Sequence, residues 1–267
     1  MTNNKRLVVM SDDFGMCPAV NEGIVQAFVE GILTDSNLMA PCPSFDEAAK
    51  LTKQHNIPVG IHSTFTCDWD KYFWGPLTEA SSLITKKNYF KDSVPEAWDQ
   101  ADLEEAWIEL LAQYDRIVSN GITLTHVGEH MGIDPNDKHN KVMARLVEAK
   151  GIPHKGQLQK HNREPYLSYK YKSNFSAYSS ADYETIKAHI KDVLFSLEPG
   201  DHMWVVHCGI DDGSLSKLCS PDFHARIWAD TFRINDLRLC LDPDIKNWIN
   251  ENEIELTSIT EIPTAIL

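Results

Sequence analysis

Two adjacent carboxylates, Asp12-Asp13, directly follow the Leu7-Val8-Val9-Met10-Ser11 segment and precede Phe14-Gly15. The apolar run Leu7–Met10 reads as a buried strand. Ionised carboxylates at the end of such a strand are costly unless a cation or a proton-transfer role holds them there. Like charges side by side resist joint ionisation. The chemistry that suits the pair is therefore one carboxylate on a metal ion and its neighbour as a base. Phe14 supplies an apolar anchor, and Gly15 a sharp exit through backbone angles closed to other residues. Alone, the dipeptide fits equally well a strand-end turn with Asp as a helix cap.

Other strand-like runs bring polar groups to their ends. Asn37 lies near the end of 32–39, His62 and Thr64 at the end of 59–62, His126, Glu129 and His130 after 122–126, and His207 at the end of 203–207. One carboxylate and two imidazoles make a natural ligand set for a divalent metal with open positions, and Asp13, His62 and His130 can supply it. His126 and His130 are four apart and would share a face on a helical turn. They straddle Gly128 beside a strand, so His126 is expected to be a buried histidine hydrogen-bonded to backbone. His139, His154, His161, His189 and His202 have no strand-end setting and are expected to be surface or structural.

The elements that position these residues alternate between strand and helix. Helical periods cover 19–31, 44–54, 101–119, 139–150, 181–197, 222–230 and 242–250; strand runs add a weak fifth at 152–154 and a last one at 254–259. On 101–119 the apolar face is Leu103, Ala106, Trp107, Leu110, Leu111, Tyr114 and Val118. Such alternation predicts an α/β fold: one domain over 1–267, an irregular (β/α) barrel of TIM type with parallel strands inside and helices outside. In that fold the strand ends share one face. Two long connections, 66–100 and 157–180, are rich in aromatics that pack the loops or stack on sugar rings.

The 267 residues carry a formal net charge of −14. That charge argues against nucleic acid or an anionic membrane as partner. The start of the chain has no apolar stretch of signal-peptide length. Six scattered cysteines, with no Cys-x-x-Cys pair, read as reduced thiols, so a cytoplasmic protein is expected. A homodimer is the default assembly.

The ordered motifs resemble the YdjC-type carbohydrate deacetylases, a family that includes chitooligosaccharide and hopanoid-biosynthesis deacetylases. The resemblance is carried by Asp12-Asp13-Phe14-Gly15, Val20-Asn21-Glu22-Gly23-Ile24, Gly31-Ile32-Leu33-Thr34, Val59-Gly60-Ile61-His62, Thr125-His126-Val127-Gly128-Glu129-His130, Val206-His207-Cys208-Gly209, and Arg233 with Asp236. It implies that Asp13, His62 and His130 hold one divalent metal ion, zinc or magnesium. It implies Asp12 as the general base for the attacking water and His207 as the acid or a group steadying the intermediate. Arg233 and Asp236 become orienting residues. The chain departs from the family pattern at Met10-Ser11, at Gly128 where the family has Asp, at Met131-Gly132, and at Cys208-Gly209.

The expected function is metal-dependent removal of an acetyl group from an N-acetylated sugar or short oligosaccharide. The alternatives are another metal-dependent barrel enzyme acting on sugars, an isomerase or phosphoesterase, and a carbohydrate-binding protein without catalysis. Retention of both Asp12 and Asp13 speaks against the binder, which needs no base.

Overall fold

The computed structural model describes residues 4–131, 137–155 and 182–262. Among them, six strands join one sheet: β1 (Lys5–Phe14), β2 (Asp35–Leu38), β3 (Val59–Ser63), β4 (Leu124–Glu129), β5 (Gly200–Val206) and β6 (Ile254–Leu256). Their order is β4-β3-β2-β1-β5, and every pairing is parallel. β5 runs along one edge of β1 from Lys5 to Ser11. The opposite edge is shared by β6 at Lys5–Leu7 and by β2 from Met10 onward. All strands thus end on one face. A parallel bridge from Val127 to His154 adds one extended position beyond β4, where a weak strand was expected. Among the described residues no ladder joins β4 to β5. The α/β architecture expected from the sequence is the one observed.

Helices cover the outer face: α1 (Pro18–Val29), α2 (Phe45–His55), α3 (Val94–Asp99), α4 (Leu103–Ser119), α5 (Lys138–Lys150), α6 (Tyr183–Phe195), α7 (Arg226–Ala229), α8 (Thr231–Leu241) and α9 (Pro243–Glu251). Strand alternation divides the core. Leu7 and Val9 pack outward with Ile24, Ile61, Leu110 and Val127 in the larger cluster. Val8 and Met10 point the other way and meet Met203, Val205, Ile259 and Ile262 in a smaller one. This inner cluster is the floor of the concave side. Continuing the β1 alternation past Met10, Asp12 comes next above the floor.

Two expectations need correcting. β1 does not stop at Met10 but runs through the Asp pair to Phe14. The buried face of α4 is Ala106, Glu109, Leu110, Gln113 and Ile117, while Leu103 and Val118 are exposed. The polar pair is buried because Glu109 serves the 66–100 connection and Gln113 the segment just before it. Glu109 accepts from Leu77 N, Thr78 N and Thr78 Oγ1, and Gln113 brackets Thr64 at both N and O. Most aromatics of that connection do pack it down: Trp69, Trp74, Phe90 and Trp98 are buried, while Phe73 and Tyr89 stack on each other at the surface. The 157–180 connection lies outside the described residues. All six cysteines are free and buried. Among the described residues no helix is long and apolar enough to cross a membrane.

Candidate active site

Successive residues of a strand face opposite sides, so Asp12 and Asp13 could not both serve one site from a regular β1. The backbone resolves this. The register between β1 and β2 shifts between Ser11 and Phe14, and Asp13 adopts φ +72°. A bulge of this kind re-aims a side chain at some local strain. Asp13 consequently turns toward the ends of β3 and β4.

There it meets two imidazoles. Asp13 Oδ1 lies 3.2 Å from His62 Nε2 and 3.2 Å from His130 Nδ1. One donor atom from each of Asp13, His62 and His130 falls within 4.8 Å of the others, and all three residues are buried. Two ligands on a tetrahedral zinc at about 2.0–2.1 Å stand about 3.3 Å apart, close to the observed spacing. Asp13 Oδ1 is a buried oxygen with no hydrogen-bond partner. A cation at this point would satisfy it, so the residues present fit a divalent metal.

The groups behind the trio orient it. Arg233 Nη2 donates to Asp13 Oδ2 at 2.7 Å. Burial opposes ionisation of Asp13, but Arg233 and the adjacent His130 and His62 rings outweigh it and hold the carboxyl well below its usual range. His130 Nε2 lies 3.0 Å from Asp68, a carboxylate–histidine pair of the kind that fixes a ligand's tautomer. Burial opposes the imidazolium; the charge of Asp68 and the nearness of Asp13 prevail and raise His130 to about 10.

Asp12 stands on the other side of Asp13. Asn37 Nδ2 donates to its Oδ1 at 2.6 Å, and Lys155 Nζ lies 3.7 Å from its Oδ2. Burial pushes its pKa up, yet Lys155, with His62 and His207, brings it down to about 2. Lys155 also lies 3.8 Å from Glu129 Oε2, which His154 approaches to 3.2 Å. His154 was expected to stand apart from the strand ends; its bridge to Val127 puts it beside β4 instead. His126 was expected to bond to backbone, but its two nitrogens face the side chains of Thr125 and Asn37. His139 is structural, buried against Trp98 with Ser63 Oγ at 3.0 Å.

His207 arrives on the first residue after β5. Ser11 pairs with Val206, so the next residues, Asp12 and His207, stand side by side. Asp236 Oδ2 accepts from His207 N at 2.7 Å and lies 3.9 Å from its Nδ1. The five residues predicted from sequence, Asp12, Asp13, His62, His130 and His207, thus come together. Asp68 and Lys155 were missed: Asp68 sits in the long 66–100 connection and Lys155 just past the weak 152–154 run, neither with a motif to mark it. A groove of about 470 Å³ opens beside Asp68, walled by Trp69, Phe73, Tyr89 and Phe223.

The chain is 29% identical over 261 residues to a carbohydrate deacetylase of Thermoanaerobacter pseudethanolicus, covering 95% of this chain and 98% of the relative. It is 26% identical over 271 residues to one from Clostridium beijerinckii, covering 96% and 100%. A solved Enterococcus faecalis V583 protein, provisionally described as a cellobiose-phosphate cleavage protein, has the same fold, with TM-score 0.71, 22% identity, and coverage of 96% and 97%. The family model for YdjC-like proteins matches residues 6–251. With nearly its whole length matched, and its ordered strand-end motifs gathered around one site, the chain belongs to the YdjC-like family.

Proposed function

We propose that this protein is a metal-dependent carbohydrate deacetylase that hydrolyses the amide of an N-acetylated sugar or short oligosaccharide to acetate and a free amine. The observation that carries the reading is Asp13 Oδ1, a buried oxygen without a donor, 3.2 Å from one nitrogen each of His62 and His130. Family membership and relatives named carbohydrate deacetylases support the reaction class. Two imidazole nitrogens with one carboxylate oxygen suit zinc better than magnesium, which takes oxygen ligands. A divalent ion held by Asp13, His62 and His130 supplies Lewis-acid polarisation of the acetyl carbonyl and eases deprotonation of water.

The remaining work belongs to the chain. Asp12, kept ionised beside Lys155, takes a proton from the attacking water through Oδ2. His207 gives a proton to the nitrogen as the C–N bond breaks, so the leaving group departs as a neutral amine. Asp236 accepts from the His207 backbone N and lies 3.9 Å from Nδ1, which holds the residue in place for this step. Arg233 and Asp68 hold Asp13 and His130 in place. The aromatic groove beside Asp68 has the size and lining for sugar rings.

The test is acetate release by purified, metal-replete protein from a panel of N-acetylated mono- and disaccharides, run beside Asp12→Asn. Acetate from the wild type alone, with both proteins binding one metal per chain, is the expected result. No acetate from any sugar by a fully metal-loaded wild type would overturn the reading.

A further inference from the structure

Asn37 and His126 have no step in the reaction above, yet both are fully buried in contact with the base or with each other. We propose that His126 and Asn37 form a one-directional hydrogen-bond relay that fixes the orientation of Asp12, both acting as positioning residues. The inference rests on the role given to Asp12 under the proposed function.

The directions follow from the partners. The Asn37 amide nitrogen donates to Asp12 Oδ1 at 2.6 Å and to Met10 Sδ at 3.1 Å. Both are acceptors, so the amide cannot be turned round. Its oxygen therefore faces His126 Nε2, at 2.7 Å, and an oxygen offering only lone pairs requires a proton on that nitrogen. Burial, with Lys155 adding to it, keeps His126 neutral down to a pKa of about 3. A neutral ring protonated on Nε2 is bare on Nδ1; Thr125 Oγ1 lies 2.8 Å from that nitrogen, and its one hydroxyl proton is shared with Val59 O at 3.1 Å. The His126 and Asn37 donors both point toward Asp12, and hydrogen bonds aligned in series polarise one another.

Two glycines give the relay its room. A Cβ at Gly60 would run into the His126 ring, and one at Gly128 would come within 2.9 Å of Asn37 Oδ1. The departure from the family at position 128 thus has a local physical counterpart: the space holds the Asn37 amide. The mechanistic outcome is a division of labour on one carboxylate. Oδ1 is occupied by Asn37, and Oδ2, facing His62 at 3.9 Å and Lys155 at 3.7 Å, is the oxygen presented for the proton.

The test has two independent readouts. In nitrogen NMR of the zinc-loaded wild type near pH 7, His126 is expected as the neutral tautomer protonated on Nε2. A ring protonated on Nδ1, or an imidazolium, overturns the relay whatever the activity. In kinetics, His126→Leu removes the donor and His126→Gln keeps an amide N–H at similar reach. Leu is expected to lower kcat ~10–100-fold with KM and metal content unchanged, and Gln to recover most of the loss. Equal loss in both variants, or loss of metal in step with activity, overturns the proposal. If His126→Leu does not fold, Asn37→Ser replaces it with the same expected kcat loss, and wild-type kcat in that variant overturns the proposal. Should no protein release acetate, the proposed function falls while the NMR experiment still decides the relay.

Discussion

Arg233 and Asp236, three residues apart on α8, brace opposite sides of one site: Arg233 donates to Asp13 Oδ2 at 2.7 Å, and Asp236 accepts the His207 backbone N–H at 2.7 Å. Residues three apart share a helix face, so a single helix sets the distance between Asp13, proposed to hold the metal, and His207, proposed to protonate the leaving amine. Removing Arg233 tests the first half. Arg233→Met leaves a buried carboxylate without its cation and is expected to cost about 3–5 kcal/mol in the metal-free protein. Added zinc should return part of that loss, because the ion compensates the same charge. Urea unfolding with and without zinc measures both.

Asp68 is the outer partner of His130 and is not itself a member of the trio. Asp68→Ala should weaken zinc affinity ~10–100-fold and leave the fold intact. A competition titration against a chromogenic chelator reads the affinity, and circular dichroism the fold.

Proton release should accompany metal binding. His130 is raised from 6.5 to about 10 in the metal-free site, so at pH 7 its ring is protonated, and a ligating imidazole must give that proton up. Apparent zinc affinity therefore rises with pH up to about 10, and close to one proton leaves per ion at pH 7. Calorimetry in buffers of different ionisation enthalpy counts it. The raised pKa also contributes folding stability to the metal-free protein that is complete below pH 6.5 and lost as pH rises through about 10.

Asp35 titrates in the opposite sense from Asp12. It is fully buried at the start of β2, and burial raises it from 3.8 to about 6 despite bonds from Ser258 and Ile259. The folded state then binds more protons than the unfolded state between about pH 4 and 6, so this group's contribution to stability falls across that window. Asp35→Asn removes the dependence. Relative to wild type, the variant should gain about 2.5 kcal/mol on going from pH 4 to pH 7, because each tenfold difference in proton affinity between the folded and unfolded states is worth about 1.4 kcal/mol and the unfolded carboxyl is already partly protonated at pH 4. Denaturant unfolding of both proteins at the two pH values checks it.

The clustering of Asp13, His62 and His130 was legible because they end separate strands, and a parallel sheet brings such ends together whatever the loops do. Asp13 was legible as a residue but not as a geometry, since only the bulge with its positive φ lets neighbours on one strand serve the same site. Helix α8 was missed over its whole length, Thr231–Leu241, which falls between the helices expected at 222–230 and 242–250. Its buried face holds Arg233 and Asp236 beside Phe232, Leu237 and Cys240, so the charges that serve the site erase the apolar period that announces a helix. Glu109 and Gln113 mislead on α4 in the same way, since their burial is compensated by loop backbone far away in sequence. Asp68 and Lys155 are set by the folding of irregular segments, for which periodicity carries no information.

The contact between Gly128 and Asn37 has a consequence for sequence variation. The two positions compete for one volume, since even a methyl group at 128 would come within 2.9 Å of the Asn37 carbonyl oxygen. A relative with aspartate in place of Gly128 must therefore carry a shorter side chain in place of Asn37. Across the family these two positions should covary as a pair, a carboxylate with a small partner or a glycine with an amide.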